Sequence, residues 1–161
     1  MATRNIVKRG DDILTKVCRP VEKFDTKLHL LLDDMAETMY KADGVGLAGP
    51  QVGMLRRLFV VDIGEGLIEA INPEIIDPQG EQENMEGCLS CPGVTVLTRR
   101  PNKLTLKAQN RYGEEYTLQA EGFLAQALSH EYDHLEGKTI YETAVRFLTK
   151  KECEQLREEQ E

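Results

Sequence analysis

The chain has 161 residues, 40% of them hydrophobic, which is enough for one domain with a substantial core and too few for two, so we expect residues 1–161 to form a single domain. Its formal net charge of −8 at pH 7 argues against stable binding to nucleic acid, which needs clustered lysine and arginine. No apolar stretch approaches the length that spans a bilayer, no basic-then-apolar leader opens the chain, and four cysteines are few for a secreted disulfide scaffold, so we expect a cytoplasmic protein with reduced thiols.

The first long element predicted along the chain is a helix. Leucine and methionine residues recur at helical spacing over residues 28–39, after Asp25 and Thr26, either of which is a suitable N-cap. The Asp43-Gly44 step is typical of a helix stop. We therefore expect one amphipathic helix before the chain turns toward its first strand.

Extended segments follow this helix. Residues 58–63 are typical of a buried strand, and Asn72-Pro73 begins a second segment that a turn containing proline and glycine ends. Apolar and polar residues then alternate over 103–108 and again over 116–120, on either side of a turn at 110–113. This pattern predicts a hairpin with one solvated face.

The helix predicted after Gly122 and ended by Gly137 carries a metal-binding pattern. His130 and His134 are four residues apart, and on a helix of 3.6 residues per turn both imidazoles lie on one face and can bind one metal ion. Glu131 points in a neighbouring direction, where it can reach a water on the metal and act as a general base. This arrangement is typical of metal-assisted hydrolysis.

Two histidines leave a catalytic metal site one protein ligand short. One class of metallopeptidases, which cleave internal peptide bonds, supplies a third histidine where this chain has Ile140. Another class uses a later glutamate, and the candidates here are Glu142, Glu152 and Glu154. The better candidate is Cys88, because a thiolate with two imidazoles is a normal ligand set for a divalent transition metal.

Cys91 leaves a different architecture open. Together with Cys88 and the two histidines it would close a structural four-ligand site, and the chain would then be a metal-stapled binding module without enzyme activity. Residues an odd number of positions apart along a strand face opposite sides, so both cysteines can bind one metal only if the chain turns between them. We therefore expect an open site without Cys91.

Three segments taken together resemble the peptide deformylase family. They are residues 44–51 (GVGLAGPQ), 86–90 (EGCLS) and 130–135 (HEYDHL), in the family's order, and the similarity runs from about residue 6 to about residue 140. The resemblance implies the family's α+β fold, with antiparallel or mixed sheets packed around the helix that carries the HExxH motif and a helical tail at about 148–161.

The resemblance also implies an activity, which is removal of the N-formyl group from the N-terminal methionine of nascent proteins by a metal-bound hydroxide, with release of formate. The residues that it assigns to the metal are Cys88, His130 and His134. It implies one divalent metal, natively Fe²⁺, although the ligand set also suits Zn²⁺, Ni²⁺ and Co²⁺. Glu131 would take a proton from the water and return it to the departing amine.

The remaining site residues are likewise implied or inferred from their positions. The side-chain amide of Gln51 and the backbone N–H of Leu89 would face the formyl oxygen, and Gly46 would offer its backbone to the substrate. We expect the methionine pocket to have as walls Val45, Phe123 and Ala127. Gln126 lies where many relatives carry an arginine or an aliphatic residue, so the pocket wall is expected to be more polar here.

Two further charged features remain to be assigned. Asp133 either orients a ring nitrogen or pairs with Arg100, and we favour the ion pair. Residues 148–161 are predicted to form a helix begun by a capping box between Thr149 and Glu152. This tail is acidic and poorly suited to anchoring on RNA, so we expect at most a transient proximity to the ribosome.

Overall fold

The fold consists of two antiparallel sheets and a central helix within residues 2–159, the part of the chain that the computed structural model describes. The helices are α1 (Thr26–Lys41), α2 (Phe123–Leu135), α3 (Ile140–Thr143) and α4 (Lys150–Glu159), with short 3₁₀ helices at Asp12–Thr15 and Gly49–Val52. The strands are β1 (Gly46–Ala48), β2 (Leu58–Val61), β3 (Ile68–Gln79), β4 (Gln82–Cys88), β5 (Cys91–Arg100), β6 (Lys103–Gln109), β7 (Glu115–Glu121) and β8 (Ala144–Phe147). This architecture confirms the expected α+β class.

The two sheets differ in their number of strands. Five strands follow the order β1-β2-β3-β6-β7, and three follow the order β4-β5-β8. The hairpin predicted around residues 110–113 is confirmed as β6 and β7, which pair in register from Lys103 with Glu121 to Gln109 with Glu115. Within residues 2–159, no helix has the length and apolar character needed to cross a membrane.

Helix α1 confirms the first predicted helix, and the chain leaves it at the predicted Asp43-Gly44 step. The carboxylate of Asp25 accepts a hydrogen bond from the backbone N–H of Leu28 at 3.1 Å, so Asp25 is the N-cap. The apolar face packs against β1 and β2, and its buried members are Leu28, Leu31, Leu32, Met35 and Met39. The last helical residue is Lys41, and Asp43 then adopts a left-handed φ of 55°.

The structure corrects one predicted boundary of β3 and one of β2. The segment expected to begin at Asn72-Pro73 begins at Ile68, and the strand passes through the proline. Asn72 has a φ of 50°, and the register with β6 shifts between Ile71 and Glu74. This bulge accommodates Pro73, which has no N–H to donate to a neighbouring strand. Strand β2 is shorter than predicted and ends at Val61.

Helix α2 lies between the sheets and has the predicted start and stop. It follows Gly122, whose φ is 63°, and ends before Gly137, whose φ is 76°. The N–H of Lys138 donates to the carbonyl of Asp133 at 2.9 Å, which closes the last turn as in a Schellman motif. A side chain at Gly137 would meet the carbonyl oxygen of Thr15 at 2.6 Å, so the close contact requires glycine.

The predicted C-terminal helix is confirmed as α4, which the structure describes to Glu159. Residues 160 and 161 of the predicted tail, and residue 1 of the predicted domain, lie outside the described residues. The capping box is present, since Glu152 N–H donates to Thr149 Oγ1 and Thr149 N–H donates to the Glu152 carboxylate, each at 3.1 Å.

Candidate metal centre

Three candidate metal ligands converge where β4 meets α2. Ligand atoms of Cys88, His130 and His134 all lie within 4.8 Å of one another. Cys88 Sγ is 3.4 Å from His134 Nε2, and the two imidazole centroids are 5.2 Å apart. A thiolate with two imidazoles at this spacing fits one divalent transition metal. The glutamates considered as alternative third ligands are not part of this group.

The hairpin β4–β5 determines where the cysteines lie. Cys88 ends β4, a two-residue turn follows, and Cys91 opens β5 directly opposite Cys88. The turn that both cysteines need in order to face one side is therefore present, because the chain reverses between them. The converging ligand group in residues 2–159 nevertheless does not include Cys91, which is buried against Val96 and Ile140.

His130 is held by a glutamate that the sequence analysis did not assign. Glu86 lies on β4 two residues before Cys88, and its Oε1 is 2.7 Å from His130 Nδ1. This contact leaves Nε2 of His130 as the nitrogen that faces the other candidate ligands. The sequence signal that could have indicated this role is an acidic residue two positions before Cys88.

Arg100 neutralises Glu86 and links it to α2. Its guanidinium donates to both Glu86 oxygens, at 2.5 and 2.8 Å, and to the Asp133 carboxylate at 2.8 Å. The predicted ion pair between Asp133 and Arg100 is therefore confirmed. Burial opposes ionisation of Glu86, but hydrogen bonds from His130 and Arg100 outweigh it and lower the pKa of Glu86 to about 2.

Glu131 lies beside the candidate ligands and is 3% exposed. Burial raises the pKa of its carboxyl to about 7, although the neighbouring His130 acts in the opposite direction. Its Oε1 is buried without a hydrogen-bond partner among the described residues. A side chain at Gly46 would overlap the Glu131 carboxylate, so glycine there leaves the space that Glu131 occupies. The carboxyl group can therefore exchange a proton near neutral pH.

The two histidines differ in their electrostatic surroundings. Burial lowers the pKa of His134 far below its ordinary value, which keeps its imidazole neutral and suited to bind a cation. Burial also acts to lower the pKa of His130, but the carboxylates of Glu131 and Glu86 outweigh it and raise that pKa. For Cys88, the hydrogen bond with Cys91 and burial raise the thiol pKa, so metal binding must displace a proton there.

Gln51 lies in the 3₁₀ helix Gly49–Val52 and is 1% exposed. Its Oε1 accepts a hydrogen bond from the Ala48 N–H at 2.9 Å, and its Nε2 donates to Ser90 Oγ at 3.1 Å. The same nitrogen is 3.5 Å from Cys88 Sγ. The amide is therefore fixed in orientation with its NH₂ group beside the candidate ligands, and Leu89 lies in the adjacent turn.

A cavity of about 380 Å³ opens onto this centre. It is lined by the five residues predicted to bind substrate, which are Gly46, Val45, Phe123, Gln126 and Ala127. Glu131 and His130 line the same cavity. Sequence reasoning missed several further lining residues, including Met85, Pro92 and Val94, because β4 and β5 bring them to the cavity through strand pairing.

The chain is similar to known proteins in sequence and in structure. Residues 3–150 match the family model described as polypeptide deformylase. A peptide deformylase of Acetivibrio thermocellus is 51% identical over 98% of this chain and 93% of its own length, and one of Caldicellulosiruptor bescii is 52% identical over 98% and 95%. The peptide deformylase structure from Thermotoga maritima has a TM-score of 0.88 and 41% identity, over 89% of this chain and 99% of that chain. The one from Legionella pneumophila has a TM-score of 0.86 and 40% identity, over 99% and 98%.

Proposed function

The chain belongs to the peptide deformylase family, which removes the N-formyl group from nascent peptides, and from this premise we propose which of its residues perform the reaction. The family uses a single divalent metal. We propose that it is held here by Cys88, His130 and His134, and the observation that carries this proposal is the convergence of their ligand atoms within 4.8 Å at the cavity. When bound, the metal supplies a Lewis acid that polarises the substrate carbonyl and lowers the pKa of water.

The identity of the metal is a narrower proposal. The thiolate and the two imidazoles suit Fe²⁺, Zn²⁺, Ni²⁺ and Co²⁺. We propose Fe²⁺ as the native ion, which the family resemblance implies. Metal analysis of protein purified without oxygen tests this assignment, and stoichiometric zinc with no iron would contradict it.

Glu131 is proposed as the group that moves the proton. Its buried carboxyl has a pKa of about 7, so it can accept a proton from the attacking water and release it to the departing amine at neutral pH. Its Oε1 has no hydrogen-bond partner among the described residues and is available as an acceptor. One residue therefore serves first as base and then as acid.

The oxygen of the formyl group needs fixed donors as negative charge develops on it. We assign this role to the Gln51 amide and the Leu89 backbone N–H, each typically worth about 3 kcal/mol of barrier. Gln51 uses one N–H on Ser90 and holds its NH₂ group beside Cys88 without adding a charge that would compete for the metal. Its fixed orientation supports the assignment.

The substrate peptide is proposed to lie along β1. This strand is at the end of the five-stranded sheet and pairs with β2, so an extended peptide can add to its other side through the backbone of Gly46. The first side chain of the substrate would then enter the part of the cavity lined by Val45, Phe123 and Ala127.

We propose further that residues 1–161 act as one catalytic domain, which the family match over residues 3–150 supports. The substrate class favours work in the bacterial cytoplasm with transient proximity to the ribosome. The net charge of −8 favours no stable contact with nucleic acid.

The experiment compares formate release from formyl-Met-Ala-Ser with cleavage of an unformylated peptide that has internal amide bonds. We expect formate only, and internal cleavage would favour the metallopeptidase alternative.

Glu131→Gln should lower formate release about 10³-fold while metal content stays the same, in the range typical of a lost general base. Cys91→Ala should retain the metal, whereas loss of the metal would favour the closed structural site. An unchanged rate in Glu131→Gln would contradict the catalytic assignment.

A further inference from the structure

Gln126 is a buried polar residue in the wall of the cavity. No step of the proposed reaction uses its side chain. It lies on α2, it is 6% exposed, and it lines the cavity beside the candidate metal centre. Within residues 2–159 its side chain makes one hydrogen bond, in which Nε2 donates to the Met85 carbonyl at 3.4 Å. This contact is long, and it leaves the second N–H and Oε1 without a protein partner.

The position of Gln126 on α2 relates it to the reacting centre. It precedes His130 by four residues, so the two lie on the same helix face about 6 Å apart along the axis. Ala127 and Phe123, also on α2, line the same cavity. A first side chain that starts at the candidate metal centre and runs along α2 toward its N-terminus therefore reaches the Gln126 amide near its end.

A second hollow supports a polar character for this end of the pocket. It has a volume of about 350 Å³ and shares Met85, Phe123 and Gln126 with the first cavity. Its remaining lining residues are Gln82 and Asn84, whose amide groups hydrogen-bond to each other at 2.8 Å. The pocket is therefore apolar near the candidate metal centre, and side-chain amides line the hollow that adjoins it.

We propose that Gln126 is a specificity-determining residue, whose amide favours first side chains that carry a hydrogen-bond acceptor at the δ position over hydrocarbon side chains of the same length. This inference rests on the proposed function and deepens it by naming a substrate class. The class includes peptides whose formylated first residue is methionine sulfoxide.

The chemical reason lies in the cost of burying a polar group without a partner. Norleucine, methionine and methionine sulfoxide have a methylene, a thioether sulfur and an S=O group at the δ position, so the acceptor strength increases along this series while the length stays the same. An apolar pocket penalises the sulfoxide because its oxygen loses hydrogen bonds to water. A free N–H from Gln126 replaces one of those bonds and reduces the penalty.

The test measures kcat/KM for three peptides, formyl-norleucyl-Ala-Ser, formyl-Met-Ala-Ser and formyl-Met(sulfoxide)-Ala-Ser. In the unaltered enzyme we expect the sulfoxide peptide to be used within tenfold of the methionine peptide. Two variants remove the N–H groups, Gln126→Leu and Gln126→Met, and the second keeps the length of the side chain. In both variants, the ratio of kcat/KM for the sulfoxide peptide to kcat/KM for the norleucine peptide should be at least tenfold lower than in the unaltered enzyme. Gln119→Leu, the same change at an exposed position on β7, is the matched control and should leave the ratio unaltered.

The outcomes separate this inference from the proposed function. If no formylated peptide releases formate, the proposed function itself fails. If formate is released but kcat/KM of the unaltered enzyme for the sulfoxide peptide is more than tenfold below that for the methionine peptide, the inference about Gln126 is overturned even if the variants do not fold. Equal ratios in the unaltered enzyme, Gln126→Leu and Gln126→Met would also overturn it. A tenfold change in the ratio corresponds to about 1.4 kcal/mol of transition-state discrimination.

Discussion

Two glutamate–arginine pairs at the three-stranded sheet have the same chemistry and opposite surroundings. Glu86 on β4 and Arg100 on β5 have side chains that are 5% and 6% exposed. Arg146 on β8 and Glu152 on α4 have side chains that are 52% and 35% exposed. The first pair contacts a candidate metal ligand, and the second joins the end of the sheet to the C-terminal helix.

The role of each ion pair depends on the residues that surround it. Taking Glu86 and Arg100 out of water is costly, and the cost is offset by several hydrogen bonds that also involve His130 and Asp133. The pair therefore fixes orientation more than it adds stability. Arg146 and Glu152 remain largely hydrated, so their attraction is weak and screened by salt.

Removal of each arginine is the strongest test of this contrast. Arg100→Met should lower the free energy of unfolding by about 3–5 kcal/mol, because it leaves two carboxylates without their cation, one of them deeply buried. Arg146→Met should lower it by at most about 1 kcal/mol. Urea unfolding of both variants measures the difference. Equal losses would contradict the assigned importance of burial.

Removal of the charge on each glutamate tests the orienting role. Glu86→Gln should lower metal affinity about 10–100-fold, as is typical when the carboxylate that orients a ligand imidazole is changed. Glu152→Gln is the matched substitution at the exposed pair and should leave metal affinity unchanged. Competition with a chromophoric chelator measures both values. An unaltered affinity in Glu86→Gln would mean that other contacts hold His130.

The side chain of Asp133 has an exposure between those of the two pairs. Its side chain is 24% exposed and pairs with Arg100, whose side chain is 6% exposed. Asp133→Asn should therefore lower the free energy of unfolding by about 1 kcal/mol, less than removal of Arg100, because Glu86 still neutralises the guanidinium. Metal content should not change. If stability, metal content and turnover were all unaffected, the ion pair would contribute nothing measurable.

The sequence predicted those parts of the molecule whose geometry is local. Helix α2 could be predicted because the spacing of His130 and His134 on a helix determines which face they share, and glycines mark both of its ends. The capping box of α4 could be predicted for the same reason, since Thr149 and Glu152 are three residues apart. These interactions depend on nearby residues, so the pattern alone specifies them.

Features that depend on strand register could not be predicted in this way. The position of Cys91 beside Cys88 follows from how β4 pairs with β5, and the role of Glu86 follows from its hydrogen bond with His130 on α2. The passage of β3 through Pro73 likewise depends on a bulge against β6. Alternation along a single strand contains no information about where the chain reverses or which residue lies opposite, so these contacts required the three-dimensional structure.

A further small effect is expected at the start of α4, where Thr149 caps the helix and contacts Glu152 of the exposed pair. Thr149→Ala removes the hydroxyl that accepts the Glu152 N–H, and loss of such a cap typically costs about 1 kcal/mol. Metal affinity and turnover should stay the same, because Thr149 and Glu152 are not among the residues that line the cavity. Thermal unfolding, followed with and without metal, measures the loss, and Thr117→Ala on the exposed face of β7 is a control for the substitution itself. If Thr149→Ala also weakened metal binding, α4 would be coupled to the candidate metal centre and the contrast between the two pairs would be smaller than their burial indicates.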